Sequence, residues 1–543
     1  MINDQRWSRR RLLVGTAGFA GGVAALGLVG CGDDGSNADK KATNPTGADP
    51  KASLSPVAGG TLSAGQVTDI ALNTGYPYVL LPQNRFLMFG VSEPLVRYAD
   101  SLKPTPVMVD RYELSDDNTQ VTVSLKPGLR FHNGDAVTPE DVFFGIDLMV
   151  APQDYNVTGG IQLATFAKVI TSKTKVDDRT MIFKFDKPRP NITDFFAQMM
   201  ITQAKSYKEL QTGKNIQGTG PFKFVSWTPS QSYRLEKNAS WHGSTQPGGG
   251  PYLDGITVSE FSDVEALGLS LESGQVELAL ELPGSVAKKF KDRNRTRIAP
   301  KVGLLYAGCN VTNPMLKDPR VRQALFLAID RARLVDEIGE GFGKVTVQPW
   351  PATSPAYDPA LDAAFYDPSK AKQLLSAASF QQTGNLKIEF GSGGSQAVPE
   401  LVKQNFADIG VRVDLVPVEG NALTAKITQR QVTDLWITTH AFADMAPLTN
   451  FQQTFPFRIP NPSGYASDEY KAIIAALEQL DPLSAGAKQQ YARFNKMWLE
   501  DPWMLPLQPR IRIDVGGEKL QGLNDYFITI YQSFDMAKLW KKT

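Results

Sequence analysis

The stretch at residues 318–335, DPRVRQALFLAIDRARLV, limits the fold more than any other part of the chain. Aspartate followed by proline marks a helix start. The Asp318 carboxylate suits the first unpaired N–H groups, and Pro319 suits the first helical position, where no N–H is needed. Val321, Ala324, Leu325, Ala328 and Ile329 then recur at the spacing of one buried helical stripe. Arg320, Arg322, Gln323 and Arg331 fall mainly off that stripe, so the arginines are expected in solvent or in ion pairs. Just before the helix lies a β-like run, residues 302–306, ending at Cys309 and Asn310. Strand, short crossing and capped helix open a new α/β lobe late in the chain, which requires at least one other lobe before it.

The length agrees. At 543 residues the chain exceeds one ordinary core, and two or three lobes are expected. With 42% hydrophobic and 21% charged residues it is globular. The net charge is +1, and Arg6, Arg9, Arg10 and Arg11 near the start are opposed there only by Asp4. A chain this close to neutral carries no electrostatic footprint for nucleic acid. Two cysteines and three histidines (His132, His242, His440), far apart in sequence, give no zinc-type spacing, and no metal is expected.

Residues 1–30 read as an export signal. Ser8-Arg9-Arg10-Arg11-Leu12-Leu13 resembles the twin-arginine pattern, and a Gly- and Ala-rich apolar run at 12–29 follows. That run is barely long enough, and too weakly hydrophobic, for a transmembrane helix. It ends in Leu28-Val29-Gly30-Cys31, which resembles a bacterial lipobox and makes Cys31 the expected lipidation site. Residues 31–58 are rich in Gly, Asp, Lys, Ser, Pro and Ala and read as a flexible tether. With Cys31 used as the anchor, Cys309 is expected to be a buried small hydrophobe.

From residue 59 the pattern alternates. Residues 112–115 and 120–125 flank the turn Asp116-Asp117-Asn118 as a hairpin. Thr138, Pro139 and Asp141 form a helix start of the capping-box type. Gly218-Thr219-Gly220-Pro221 has the glycines of a phosphate loop, but no Lys-Ser/Thr pair follows, so a structural turn into a hairpin is expected. Strand–helix–strand grammar recurs at 255–279 and through 367–439, with late helices at 467–480 and 488–499. Pro502, Pro506 and Pro509 are then expected to break the pattern. Gly391-Ser392-Gly393-Gly394-Ser395 lacks the strand–elbow–helix context of a hydrolase nucleophile, and three histidines leave little room for a triad.

In this order the segments LKPGLRFHNGDAVTPEDVFFGIDLM (125–149), GTGPFKFVSWTPSQSYRLEKNASWHG (218–243), DVEALGLSLESGQVELAL (263–280) and GCNVTNPMLKDPRVRQALFLAIDRARLV (308–335) resemble the family 5 extracellular solute-binding proteins of ABC transporters, the dipeptide- and oligopeptide-binding lipoproteins among them. Glu277 stands where the family usually has aspartate.

The resemblance implies an α/β, periplasmic-binding-protein-like clamp of two lobes plus an inserted domain. Lobe I would comprise 59–97, 219–307 and 507–543, domain II 98–218 and lobe III 308–506. Two chain crossings, near 305–310 and 505–509, would form the hinge. The implied function is capture of a di- or oligopeptide for import, without enzyme activity and without a cofactor. Its partners would be an ABC permease with its ATPase subunits, and the membrane through lipid on Cys31. The protein would be a monomer on the outer face of the cytoplasmic membrane. A non-peptide solute (nickel complex, haem, glutathione, opine or oligosaccharide) or a ligand-sensing role is the alternative. In peptide receptors of this family an aspartate in an Ala/Gly-Asp-x-x-x-Pro segment meets the peptide's ammonium group. Phe442-Ala443-Asp444-Met445-Ala446-Pro447 is similar to it, so Asp444 is the expected ligand contact. Ala441 and Ala446 replace a Trp and an acidic residue common in the family. Tyr306, Asn310, His440 and Phe442 are further candidates for the cleft lining, and Trp436 is expected in the core.

Overall fold

The computed structural model describes residues 55–542 apart from 99–101, 158, 162, 246–248, 294–295, 364, 394, 441–445, 525–526 and 529–532. From the amino end come strand β1 (Thr61–Gln66), helix α1 (Arg85–Val91) and the short pair β2 (Val96–Tyr98) and β3 (Pro104–Pro106). A separate antiparallel sheet follows, in the order β4 (Val109–Leu114), β5 (Gln120–Leu125), β7 (Thr180–Phe185), β6 (Ile170–Lys175). Alternation makes it two-faced: Val121, Val123 and Leu125 are fully buried. Helix α2 (Pro139–Val150) starts at Thr138, whose N–H donates to Asp141 at 3.0 Å. Helix α3 (Thr193–Gln198) closes this inserted region.

The chain then returns to the main body through the hairpin β8 (Phe222–Thr228) and β9 (Ser232–Lys237). The glycines before it are there for close approach. A Cβ on Gly218 would lie 1.8 Å from the Val91 carbonyl oxygen, and the Gly220 N–H donates to that oxygen at 2.9 Å. Next come β10 (Gly255–Glu260), α4 (Val264–Ser273), capped by Asp263 on the Ala266 N–H at 2.7 Å, and the short β11 (Leu278–Ala279).

Strand β12 (Thr296–Cys309) leads to α5 (Pro319–Ala328), α6 (Pro368–Ala377), β13 (Leu386–Gly391), α7 (Ala397–Asp408), β14 (Val413–Val418), α8 (Gly420–Thr428) and β15 (Leu435–His440). Helices α9 (Pro447–Gln453), α10 (Asp468–Leu477) and α11 (Ala485–Glu500) precede β16 (Met504–Gly516). One ten-stranded sheet results, in the order β14-β13-β15-β12-β16-β11-β1-β10-β9-β8. Its first half is β8–β11 with β1, and its second half is β13–β15. Parallel pairing of β13 with β14 and β15 follows from the helical crossovers α7 and α8.

Among the described strands, only β12 and β16 belong to both halves. They pair antiparallel over nearly their whole length, with irregularities between Ala299 and Gly303 and between Leu305 and Tyr306. The expected proline break at 502–509 is therefore corrected. Strand β16 runs through Pro506 and Pro509, and the second register shift falls where Tyr306 faces Pro506, whose missing N–H removes a ladder bond.

The helix at 318–335 also needs correction. Its start is as expected, with Asp318 accepting from the Arg320 N–H at 2.8 Å. The α-helix stops at Ala328, and Asp330 then caps a second short turn by accepting from the Arg333 N–H. Arg322 and Arg331 are buried. Arg322 donates to the Pro502 carbonyl at 2.9 Å and pairs with Asp501. Arg331 donates to the Pro506 carbonyl at 2.8 Å and lies 4.4 Å above the Phe326 ring. Arg331 thus binds the second crossing strand itself, and Arg322 binds the segment that leads into it.

Candidate functional site

A cavity of about 900 Å3 lies between the two halves of the sheet. Its floor is the crossing strand at Arg510, Ile511, Arg512 and Ile513. One wall comes from the first half, through Arg85, Met88 and Phe89 of α1 and Glu281, Leu282 and Pro283 after β11. The inserted region adds Phe166, Gln198 and Met200. The facing wall comes from the second half, through Thr439, His440, Thr454 and Phe455. Three parts of the chain, far apart in sequence, therefore meet one partly open volume of the size that holds a small organic solute.

Among the described residues, the charges in this cavity are one-sided: Arg85, Arg510, Arg512 and Glu281 line it, and all four belong to the first half or the crossing strand. Arg512 is buried; it donates to Asp514 at 2.9 Å, pairs with Glu281 and lies 4.6 Å above the Phe534 ring. Burial, and then the charges of Arg512 and Arg510, lower the Arg85 guanidinium to about 10. Burial raises the carboxyl of Asp514, against the pull of Arg512. The Glu281 backbone is left-handed (φ 56), and its N–H donates to Asp514 at 2.9 Å. On the facing wall, burial pushes the His440 imidazole down to about 4, so the ring is neutral at pH 7.

A second seam joins the inserted region to the second half beside the cavity. Asp194, at the start of α3 and fully buried, accepts from the Tyr98 hydroxyl at 2.9 Å and from the Ala446 N–H at 3.1 Å, and also from the Thr449 hydroxyl. The carboxylate of the inserted region thus caps the first turn of α9 in the second half. Asn191 donates to Thr449 at 2.8 Å and to Gln452 at 3.1 Å, Gln452 donates to Glu478 at 3.0 Å, and Lys187 pairs with Glu478 at 2.7 Å.

Of the residues singled out in the sequence, His440 lines the cavity. Tyr306 does not, which corrects that expectation. It is 1% exposed and packs in the aromatic core with Trp350, Phe451 and Trp503, its hydroxyl beside the Trp436 indole. Asn310 is corrected likewise. Its amide donates to the carbonyls of Val432 and Thr433 and accepts from Thr312, which commits it to a turn at the end of β12 away from the cavity. Trp436 is core, and a Cβ on Gly308 would lie 2.2 Å from its indole. Cys309 is fully buried, its thiol pushed up to about 12 by burial. Asp444, Phe442 and Cys31 lie outside the described residues.

Sequence reasoning missed Arg85, Glu281, Arg510, Arg512 and Asp194. A signal existed for two of them. In Arg510-Ile511-Arg512-Ile513 the arginines alternate, so both point to one face of a strand that is otherwise apolar. Among the described residues, no helix is long and apolar enough to cross a membrane.

The family model for bacterial extracellular solute-binding proteins, family 5, middle region, matches residues 103–458. The chain is 25% identical to the glutathione-binding protein of Pectobacterium atrosepticum, over 82% of this chain and 88% of that one. It is 27% identical to the oligopeptide-binding protein of Bacillus subtilis, over 58% of this chain and 61% of that one. Among solved structures, a periplasmic binding protein from Helicobacter pylori in complex with the peptide STSA superposes with a TM-score of 0.71 at 21% identity, covering 90% of this chain and 99% of that one. NikZ from Campylobacter jejuni in complex with Ni(L-His) gives 0.68 at 18% identity, covering 89% of this chain and 99% of that one. These structures share the α/β clamp fold with this chain.

Proposed function

Because this chain belongs to the bacterial extracellular solute-binding proteins of family 5, we propose that it is the peptide receptor of an ABC importer, held at the outer face of the membrane by lipid on Cys31. The two halves of the sheet act as lobes I and III, with the inserted sheet as domain II at 98–218. Strands β12 and β16 are the hinge. The solute enters between the lobes, closure forms the cavity around it, and the closed shape is handed to the permease.

The observation that carries this reading is the cavity of about 900 Å3, shared by both halves and floored by the crossing strand β16. Its lining mixes aromatic and aliphatic side chains with a few charged groups, which suits a short peptide. A relative named for oligopeptides and a structure with a bound tetrapeptide support the same solute class. Asp444 is the residue proposed to meet the peptide's ammonium group. Two neighbours in sequence support the assignment: His440 lines the cavity, and Ala446 bonds to Asp194 beside it.

A thermal-shift screen of peptides, sugars and metal chelates on the purified protein tests the solute class, because a bound solute raises the melting temperature by mass action. Peptides are expected to give the shifts. Calorimetry then tests Asp444. Asp444→Ala should weaken a peptide with a free amino terminus about tenfold or more and leave its N-acetylated form unchanged. Equal affinity of the variant and the original protein for the free peptide removes Asp444 from the site.

A further inference from the structure

Resting on the reading of the cavity as the solute site, we infer that Arg85, Arg510 and Arg512 form a seat for a carboxylate of the captured solute, with Glu281 as the resident anion that holds Arg512 in place. Among the described residues, four charged side chains line the cavity, three cationic and one anionic, and all four stand on the side of the first half and the crossing strand, across from Thr439, His440 and Phe455. On this side three guanidinium groups face two carboxylates, Glu281 and Asp514, so the local balance is positive and an anionic group has a defined place to bind.

The three arginines have different tasks. Arg512 is fixed by Asp514, by Glu281 and by the Phe534 ring, and it serves as the immobile base. Arg510 is two residues away on the same strand face. It is exposed to the cavity and makes no ion pair among the described residues. Arg85 is half-buried beside both, where desolvation and the repulsion of Arg512 and Arg510 outweigh the pull of Glu281. An arriving anion relieves that repulsion.

Glu281 already shows what this site accepts. Its carboxylate sits on the Arg512 guanidinium and is 44% exposed, at the cavity edge. Its backbone adopts a left-handed conformation that side chains rarely take, and the Asp514 carboxylate holds its N–H. The glutamate is thus oriented at both ends, and the carboxylate–guanidinium geometry can be repeated next to it. The apolar lining at Met88, Phe89 and Phe166 favours an organic acid over an inorganic anion. A peptide supplies such a carboxylate from its chain terminus or from an acidic side chain.

Calorimetry on the purified protein uses four probes: trialanine, trialanine amide, Ala-Ala-Glu amide and tricarballylate. Trialanine is expected to bind about tenfold tighter than its amide. Arg510→Ala should erase that difference. Arg85→Gln should reduce it. Glu281→Gln, which leaves one more positive charge unmatched, should strengthen trialanine binding. Recovery of affinity with Ala-Ala-Glu amide assigns the seat to acidic side chains, and no recovery assigns it to the chain terminus. If no peptide binds, but tricarballylate binds the original protein and not Arg510→Ala, the seat stands and the peptide reading falls. Equal affinity for trialanine and its amide, a difference that survives Arg510→Ala, or no binding of any carboxylate overturns the seat.

Discussion

The two halves of this molecule are joined at two seams of opposite construction, one of them through the inserted region, and the cavity lies between them. At the crossing strands β12 and β16 the join is covalent and backbone-bonded, and it is reinforced by Arg322 and Arg331 on the carbonyls of Pro502 and Pro506. At the other seam the join is made of side chains, centred on the buried Asp194 with Tyr98 on one side and Ala446 and Thr449 on the other. Backbone ladders twist but do not part, whereas a hydrogen-bonded carboxylate can be parted and rehydrated. The first seam fixes where the halves turn. The second sets how firmly they stay together.

The largest effect that would separate the two seams is expected from Asp194→Ala. It leaves the Ala446 N–H and two hydroxyl groups without their acceptor, a loss of about 3 kcal/mol. Small-angle scattering of the ligand-free variant should show a larger radius of gyration, while Asp194→Asn, which keeps an acceptor, should change it less. Unchanged scattering for both variants would reduce this seam to ordinary packing. Gly308→Ala probes the other seam. The added methyl meets the Trp436 indole at 2.2 Å, a cost of about 2 kcal/mol. It should lower the urea midpoint without altering the radius of gyration. A change in radius would mean that the crossing strands, too, control closure.

The smallest effect is that of pH. Burial holds both His132 and His440 at about 4, below the ordinary 6.5; for His132 the Gly220 carbonyl works weakly the other way. Each ring binds a proton more weakly in the folded chain than in the unfolded one. Between pH 6.5 and about 4 the unfolded state therefore takes up more protons, and stability falls as pH falls. His132 lies in the inserted region and His440 on the cavity wall, so His132→Gln and His440→Gln should each remove part of this slope in urea titrations. Of the two, only His440→Gln should also change the pH dependence of solute binding.

Much of this fold was legible because its signals are local. The Thr138–Asp141 and Asp263 helix starts, the alternation in β5 and the capped start at Asp318 are written within a few residues of where they act. Local patterns failed where a distant partner decided the outcome. Arg331 was expected in solvent or in an ion pair, and the Pro506 carbonyl, 175 positions later, claimed it instead. Tyr306 could line a cleft or fill a core with equal ease by spacing alone, and the aromatic residues of α9 and α11 chose the core. The site was least legible of all. Its four charged residues come from three separate stretches, and only the alternation of Arg510 and Arg512 marked any of them in advance.

The strand order also sets the order in which the molecule can be finished. The sheet of the second half, except for its share of β12 and β16, lies in the contiguous stretch from Leu386 to His440 and can assemble as soon as that stretch is available. The first half cannot. Strand β11 borders β16 through Leu278 and Gly516, partners 238 positions apart, so that edge stays open until the last few dozen residues arrive. A chain appearing from its amino end must carry an unsealed first half through most of its synthesis, and completing β16 seals that half and joins it to the second in one step.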